Sequence, residues 1–272
     1  MKKTIIHGFV LTALFFSTWL VLAQIDWIGI FKIQKASDKT EEKLGEIFWE
    51  VFQKSEVENN NTFVVSSVDS IVSKICSANE IDRKSIKLHI IEKDDINAFA
   101  LPDGHLVVYS GLILKSENQE ELSGVICHEI AHIQLKHVMQ KLVKEVGLSF
   151  LISMATSNKG PEVIKQTVEM LSSSAFDRSM EKEADIKAVD FLVKTKINPE
   201  SFANFLYKLS EKEGDGGEHF AWVSTHPESK ERAEYIIEYS KNKEKIFKPI
   251  LTIKTWEKLK EDLKGSKLTT SL

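Results

Sequence analysis

Cysteine is close to absent from this chain, with only Cys76 and Cys127 among 272 residues. Two cysteines leave no room for a disulfide-stapled scaffold. Both sit in or beside apolar segments, Ile71 to Ile75 and the stretch before His128, and read as buried free thiols rather than a bridge, leaving the redox compartment open. A basic surplus is lacking too. Lys and Arg total 36 against 40 Asp and Glu, and the net charge of -4 gives no reason to expect a nucleic-acid partner. No internal repeat or long low-complexity segment is visible. What remains, 42% hydrophobic and 28% charged, is ordinary globular material: one domain with appendages.

The longest apolar run begins at the N-terminus, where Lys2 and Lys3 precede an uncharged stretch from Thr4 to Gln24. It reads as an export segment. Val21-Leu22-Ala23 offers small residues for cleavage after Ala23, and an uncleaved run over 4–24 is just long enough to anchor the chain in a membrane. No cysteine follows closely, which argues against a lipid-anchored lipoprotein. The expected organisation is therefore 1–23 as signal or anchor, 24–61 as linker and helix, 62–245 as the main domain, and 246–272 as an amphipathic tail.

Within these bounds the patterning predicts helices over 37–57 and 62–78. Strands are predicted over 85–92, 96–101 and 106–109, with a turn at Pro102-Asp103-Gly104. A long helix follows over 118–141, capped by Ser116-Glu117-Asn118, then helices over 162–174, 178–194 and 200–213. The tail offers Leu251, Trp256, Leu259 and Leu263 for docking. The fold class expected is α+β: mostly helical, with a small mixed or antiparallel sheet ahead of the long helix.

That helix carries His128-Glu129-Ile130-Ala131-His132, an HExxH motif. Histidines four apart share a helix face and reach one metal ion, and the intervening glutamate lies beside it as a base. Some HExxH sites complete the set with a third histidine in HExxHxxGxxH; Leu135 and Val138 stand at the matching positions here and exclude that pattern. Others take a glutamate from a later helix. Glu181 and Asp185, four apart in Arg178-Ser179-Met180-Glu181-Lys182-Glu183-Ala184-Asp185, share a face. Glu181 is the expected third ligand, and Asp185 the acceptor for the second ring nitrogen of a ligating histidine. Arg178 is expected to steady these carboxylates or bind substrate. Glu183 points half a turn away. His137, on the face opposite His128 in a continuous helix, reads as packing or surface; His89, His105 and His219 show no partner pattern.

The HEIAH motif, RSMEKEAD after it and NAFALPDGHLVVYSGLI (Asn97 to Ile113) before it resemble the zinc metallopeptidases that include the CAAX prenyl protease, the HtpX-type heat-shock proteases and the mitochondrial OMA-type proteases, over roughly residues 37 to 240. The soluble, exported OMA-like members look closest, since the multi-span membrane region of the other branches is lacking. The resemblance implies a zincin-like fold and a gluzincin site, with one zinc held by His128, His132 and Glu181 and with Glu129 as the base. Its HPxxxxR element maps onto His226-Pro227 through Arg232, which makes His226 either an oxyanion stabiliser, a fourth ligand of a closed resting site, or a structural histidine. The strand His105-Leu106-Val107-Val108-Tyr109 is expected to be an edge strand that pairs with an extended or unfolded polypeptide substrate. Tyr109 is either an oxyanion donor or strand core. The implied activity is metalloendopeptidase, acting on misfolded or damaged cell-envelope proteins, in the periplasm or at the membrane. The alternatives are a zinc-binding chaperone-like or latent protein, and a scaffold in which HExxH is an accident.

Overall fold

In the computed structural model, the described residues are 7, 11–18, 33–156, 160–212, 221–227, 229–243 and 246–270. The chain divides into two units, Met1–Thr40 and Glu41–Leu272. In the first, residues 11–18 are helical, and helix α1 (Ile33–Phe52) begins there. Most of the expected export segment lies outside the described residues, and no helix among them is long and apolar enough to cross a membrane.

In the second unit, α1 stops at Phe52, short of the expected 57. The chain beyond it is drawn against a strand instead, with the Val57 carbonyl accepting from Glu92 N and Asn59 N donating to the Ile90 carbonyl. Helix α2 (Thr62–Ala78) starts where Asn61 caps it by accepting from Phe63 N and Val64 N. Its apolar stripe of Val64, Val68, Ile71, Val72, Ile75 and Cys76 is buried. Strands β1 (Lys87–Ile91), β2 (Ala98–Leu101) and β3 (His105–Tyr109) form a mixed sheet in the order β1-β3-β2, with β1 parallel and β2 antiparallel to β3. The β2–β3 turn passes through Asp103 and Gly104, both at positive φ; Gly104 also leaves no space for a Cβ, which would lie 1.9 Å from the Ser85 carbonyl oxygen.

The expectation that β3 is an edge strand is therefore corrected. Its run of apolar residues is buried on both faces, which is the signature of an interior strand. Leu106 and Val108 enter one core; Val107 and Tyr109 enter another. The edge away from β1 is β2.

After the short helix α3 (Ser110–Lys115) comes α4 (Gln119–Gln134), capped by Asn118, whose side chain accepts from Glu121 N at 2.9 Å. The predicted helix over 118–141 does not run through. Lys136 adopts φ 59, and α5 (His137–Val146) starts afresh in a new direction. The two halves serve different cores: Leu122, Ile126 and Ile130 of α4 join the first, Val138, Met139 and Leu142 of α5 the second. One straight helix cannot face both, and lysine gives no local warning of the left-handed joint. Then follow α6 (Leu148–Thr156), α7 (Pro161–Ser173), α8 (Arg178–Thr195), α9 (Pro199–Lys212), α10 (Ala221–Thr225), α11 (Ser229–Ser240) and α12 (Ile253–Thr270). Helix α9 approaches α4 so closely that a Cβ on Gly124 would lie 2.4 Å from Phe202 Cβ. Trp256, Leu259 and Leu263 of α12 are buried in the first core. The Gln119 amide ties the start of α4 to the same tail, donating to the Leu251 carbonyl and accepting from Ile250 N and Leu251 N. Cys76 and Cys127 are both free and buried.

Candidate metal centre

Helix α4 presents His128 and His132 on one face, and α8 crosses it carrying Glu181 and Asp185. The two Nε2 atoms stand 2.9 Å apart. Glu181 Oε2 lies 3.5 Å from His128 Nε2, and Glu181 Oε1 lies 3.3 Å from His132 Nε2. His226, just beyond α10, closes the group with Nε2 4.0 Å from Glu181 Oε1. One donor atom from each of these four residues falls within 4.8 Å of all the others. All four side chains are buried, and His226 Nε2 and Glu181 Oε1 have no hydrogen-bond partner. Buried polar atoms are seldom left unpaired, and these converge on one point. Ligands bound tetrahedrally about 2.0–2.2 Å from a metal are themselves about 3.3–3.6 Å apart. The observed spacings bracket that range, so the residues present fit a metal ion.

Behind each imidazole stands a different anchor. His128 Nδ1 is 2.8 Å from Asp185 Oδ1. His226 Nδ1 lies 3.1 Å from the Trp222 carbonyl and 2.8 Å from Thr225 Oγ1. His132 Nδ1 is 3.0 Å from His137 Nδ1. His137, expected to be packing or surface rather than a ligand, is buried and outside the four-residue group, but the joint at Lys136 swings it under His132. Arg178, expected to steady the carboxylates, is exposed at the start of α8. A guanidinium that contacts both carboxylates belongs to Arg232 of α11. Its Nε and Nη2 each bond Asp185 at 2.8 Å, and its Nη1 lies 2.7 Å from Glu181 Oε2. Tyr235 donates to the same Asp185 carboxylate.

These contacts set the charges. Asp185 is held well below the usual carboxylate range: burial opposes its charge, but the Arg232 guanidinium and His128 override it. Burial pushes Glu181 up against the pull of Arg232. It drives His128 down to about 4 and pushes His132 and His226 well below the ordinary imidazole value, so all three rings are neutral and offer lone pairs. Glu129 is buried beside them, its carboxyl pushed well above the usual range by burial. Trp222 Nε1 donates to Glu129 Oε1 at 3.2 Å, while Oε2 has no partner. The Trp222 ring also stacks on His226 at 4.4 Å. Sequence patterns carry no signal for Trp222, which acts across 93 positions. Phe176 stacks on His132 at 4.1 Å, and the buried Lys141, pushed down to about 8 by burial, sits 4.3 Å from the centre of the Phe176 ring and donates to the Ser174 carbonyl.

The strand residues His105 to Tyr109 stand apart from this cluster. Tyr109 packs edge-on against Phe99 in the second core. His105 Nδ1 bonds His89 Nε2 at 3.0 Å, under the ring of Trp49. Glu183 is exposed and faces His137, and His219 lies outside the described residues.

The family model of peptidase family M48 matches residues 64–240. Among curated relatives, the chain is 26% identical over 176 residues to "Mitochondrial metalloendopeptidase OMA1" of Schizosaccharomyces pombe, covering 63% of this chain and 52% of that one. It is 27% identical over 165 residues to "Beta-barrel assembly-enhancing protease" of Yersinia pestis, covering 56% and 34%. It is 31% identical over 165 residues to "Metalloprotease LoiP" of Escherichia coli, covering 58% and 64%. The match thus spans from about a third to just under two thirds of these relatives' own length. The chain belongs to peptidase family M48.

Proposed function

We propose that this M48 member is a zinc metalloendopeptidase whose ion is held by His128, His132 and Glu181, with His226 as a fourth ligand at rest and Glu129 as the general base. One observation carries the reading: neutral imidazole nitrogens and the partnerless Oε1 of Glu181 converge in a buried cluster with a second carboxylate, that of Glu129, beside them. Three imidazoles and a carboxylate gathered within 4.8 Å of one another suit zinc. When bound, zinc supplies Lewis acidity, acidifying water to a pKa of about 7 and polarising a peptide carbonyl.

The chain's own residues do the rest. Trp222 fixes Glu129 by one oxygen and leaves Oε2 to take the proton of the attacking water. The raised affinity of the buried Glu129 carboxyl for a proton suits it to this task. As water adds to the carbonyl carbon and the C–N bond breaks, the same proton passes to the leaving amine. Asp185 keeps the His128 proton on Nδ1, and Arg232 holds Asp185 charged. His226 donates its Nδ1 proton to the Trp222 carbonyl, which leaves Nε2 as a lone pair: it is set up as a ligand, not as a donor to an oxyanion. Four protein donors describe a closed resting site, and His226 must swing aside for substrate to enter.

The substrate is an extended polypeptide. Ala98 and Ala100 turn their backbone polar groups away from β3 on the edge strand β2, which packs beside α4, and this edge takes the part first expected of β3. Misfolded or damaged cell-envelope proteins are the substrate class that the family resemblance of the sequence implies, in a chain exported by its N-terminal segment and released after Ala23 or anchored by residues 4–24.

Casein hydrolysis by the wild type and by Glu129→Gln tests the mechanism. The variant is expected to lose about 10²–10⁴-fold in turnover with its zinc content unchanged; equal activity in both overturns the assignment.

A further inference from the structure

His137 opens α5 immediately after the left-handed Lys136, is 1% exposed, and lies with its ring 5.0 Å from that of His132. The proton positions follow from what each ring has to do. Nε2 of His132 faces His128 Nε2 and Glu181 Oε1 and must present a lone pair to serve as a ligand, so its proton sits on Nδ1. That N–H points at His137 Nδ1, 3.0 Å away, which must then accept. The remaining proton of His137 lies on Nε2, which faces Glu183 Oε2 at 3.4 Å. The three groups make one directed chain, from a carboxylate on the surface through two imidazoles to the centre.

We infer that His137 is a positioning residue: by accepting the Nδ1 proton of His132 it fixes the tautomer and the ring plane of that ligand, and so sets the affinity of the site for zinc, while Glu183 fixes the tautomer of His137 in turn. This rests on the zinc reading above. It explains why α4 and α5 are separate helices. Carried on as one helix, residue 137 falls about 140° around the axis from residue 132, out of reach. With the joint, the imidazole comes directly behind the ligand. Each histidine at the centre then has its own acceptor: a carboxylate for His128, a backbone carbonyl for His226, and a neutral ring for His132. Stacking by Phe176 on the His132 ring restricts tilting but supplies no acceptor, so the ring's rotation is set by His137.

The test is the zinc dissociation constant of the full chain, by competition with a chromophoric chelator, in His137→Asn, His137→Gln and His137→Phe. Asparagine puts an acceptor oxygen where Nδ1 was. Glutamine puts it where Nε2 was, and phenylalanine fills the space with none. The asparagine variant is expected to bind within about threefold of wild type, and the other two to bind about 10–100-fold more weakly. Unfolding of the zinc-free proteins is followed in parallel and is expected to separate the variants less than zinc affinity does. Equal affinity in the asparagine and glutamine variants, or wild-type affinity in the phenylalanine variant, overturns the inference. A wild type that binds no zinc defeats the zinc reading itself, which separates the two failures.

Discussion

Six of the eight histidines fall into two clusters that look alike by composition and differ in what their nitrogens face. At the sheet, His89 Nε2 and His105 Nδ1 bond each other at 3.0 Å, and His89 Nδ1 turns to Glu58 at 2.9 Å. His105 Nε2 is buried alone, with no other unpaired nitrogen among the described residues facing it. Trp49 lies flat on His89 at 3.5 Å, which makes the pair a packing element that pins α1 to the strands. At the centre built by α4 and α8, the second nitrogens are tied back to Asp185, His137 and the Trp222 carbonyl, and the Nε2 atoms are left facing one another. Burial and proximity are common to both clusters. Convergent lone pairs backed by separate acceptors are found in one.

The comparison also separates how the clusters are held. The metal centre rests on buried charge, with Arg232 against Asp185 and Glu181, so removing the cation strands two carboxylates in the interior. Arg232→Met is expected to destabilise the fold by about 3–5 kcal/mol, read as a fall in the denaturant midpoint. A loss below about 1 kcal/mol would mean that the carboxylates find other partners. His105→Phe at the sheet is expected to cost less, because it replaces a neutral stacked ring by another.

A smaller effect sharpens the contrast through pH. Burial pushes His105 down to about 3, with like charge on His89 and Lys87 adding to it, whereas the unfolded chain titrates near 6.5. Between those values the unfolded state binds more protons, so this residue's contribution to stability is complete above about 6.5 and is lost progressively as pH falls towards 3. Unfolding free energies measured from pH 7 to 4 are expected to fall less steeply in His105→Phe than in wild type. Parallel curves would remove the sheet cluster from the account of acid sensitivity.

Much of this was legible from local spacing. Histidines at i and i+4 in α4, and Glu181 with Asp185 at the same spacing in α8, share faces because helical geometry requires it, and the structure brings both faces to one point. Asn61 and Asn118 announce helix starts through their own side chains. What could not be read depends on contacts between distant segments. Arg232 reaches Asp185 across 47 positions, and local spacing, which points only to the nearby Arg178, gives no sign of it. The joint at Lys136 follows from two cores pulling one apolar stripe in different directions, and no residue-level breaker marks it. The place of β3 in the sheet is set by β1 arriving parallel to it; its own apolar run fits an interior strand but does not say which strands flank it.

The most direct test of the convergent-lone-pair account is the metal content of gently purified protein, followed by zinc titration of wild type, His132→Ala and His105→Phe. One zinc per chain is expected in wild type and in His105→Phe, with stoichiometric binding lost in His132→Ala. A wild type that takes up no zinc, or a His132→Ala variant that holds it as tightly, would contradict the account.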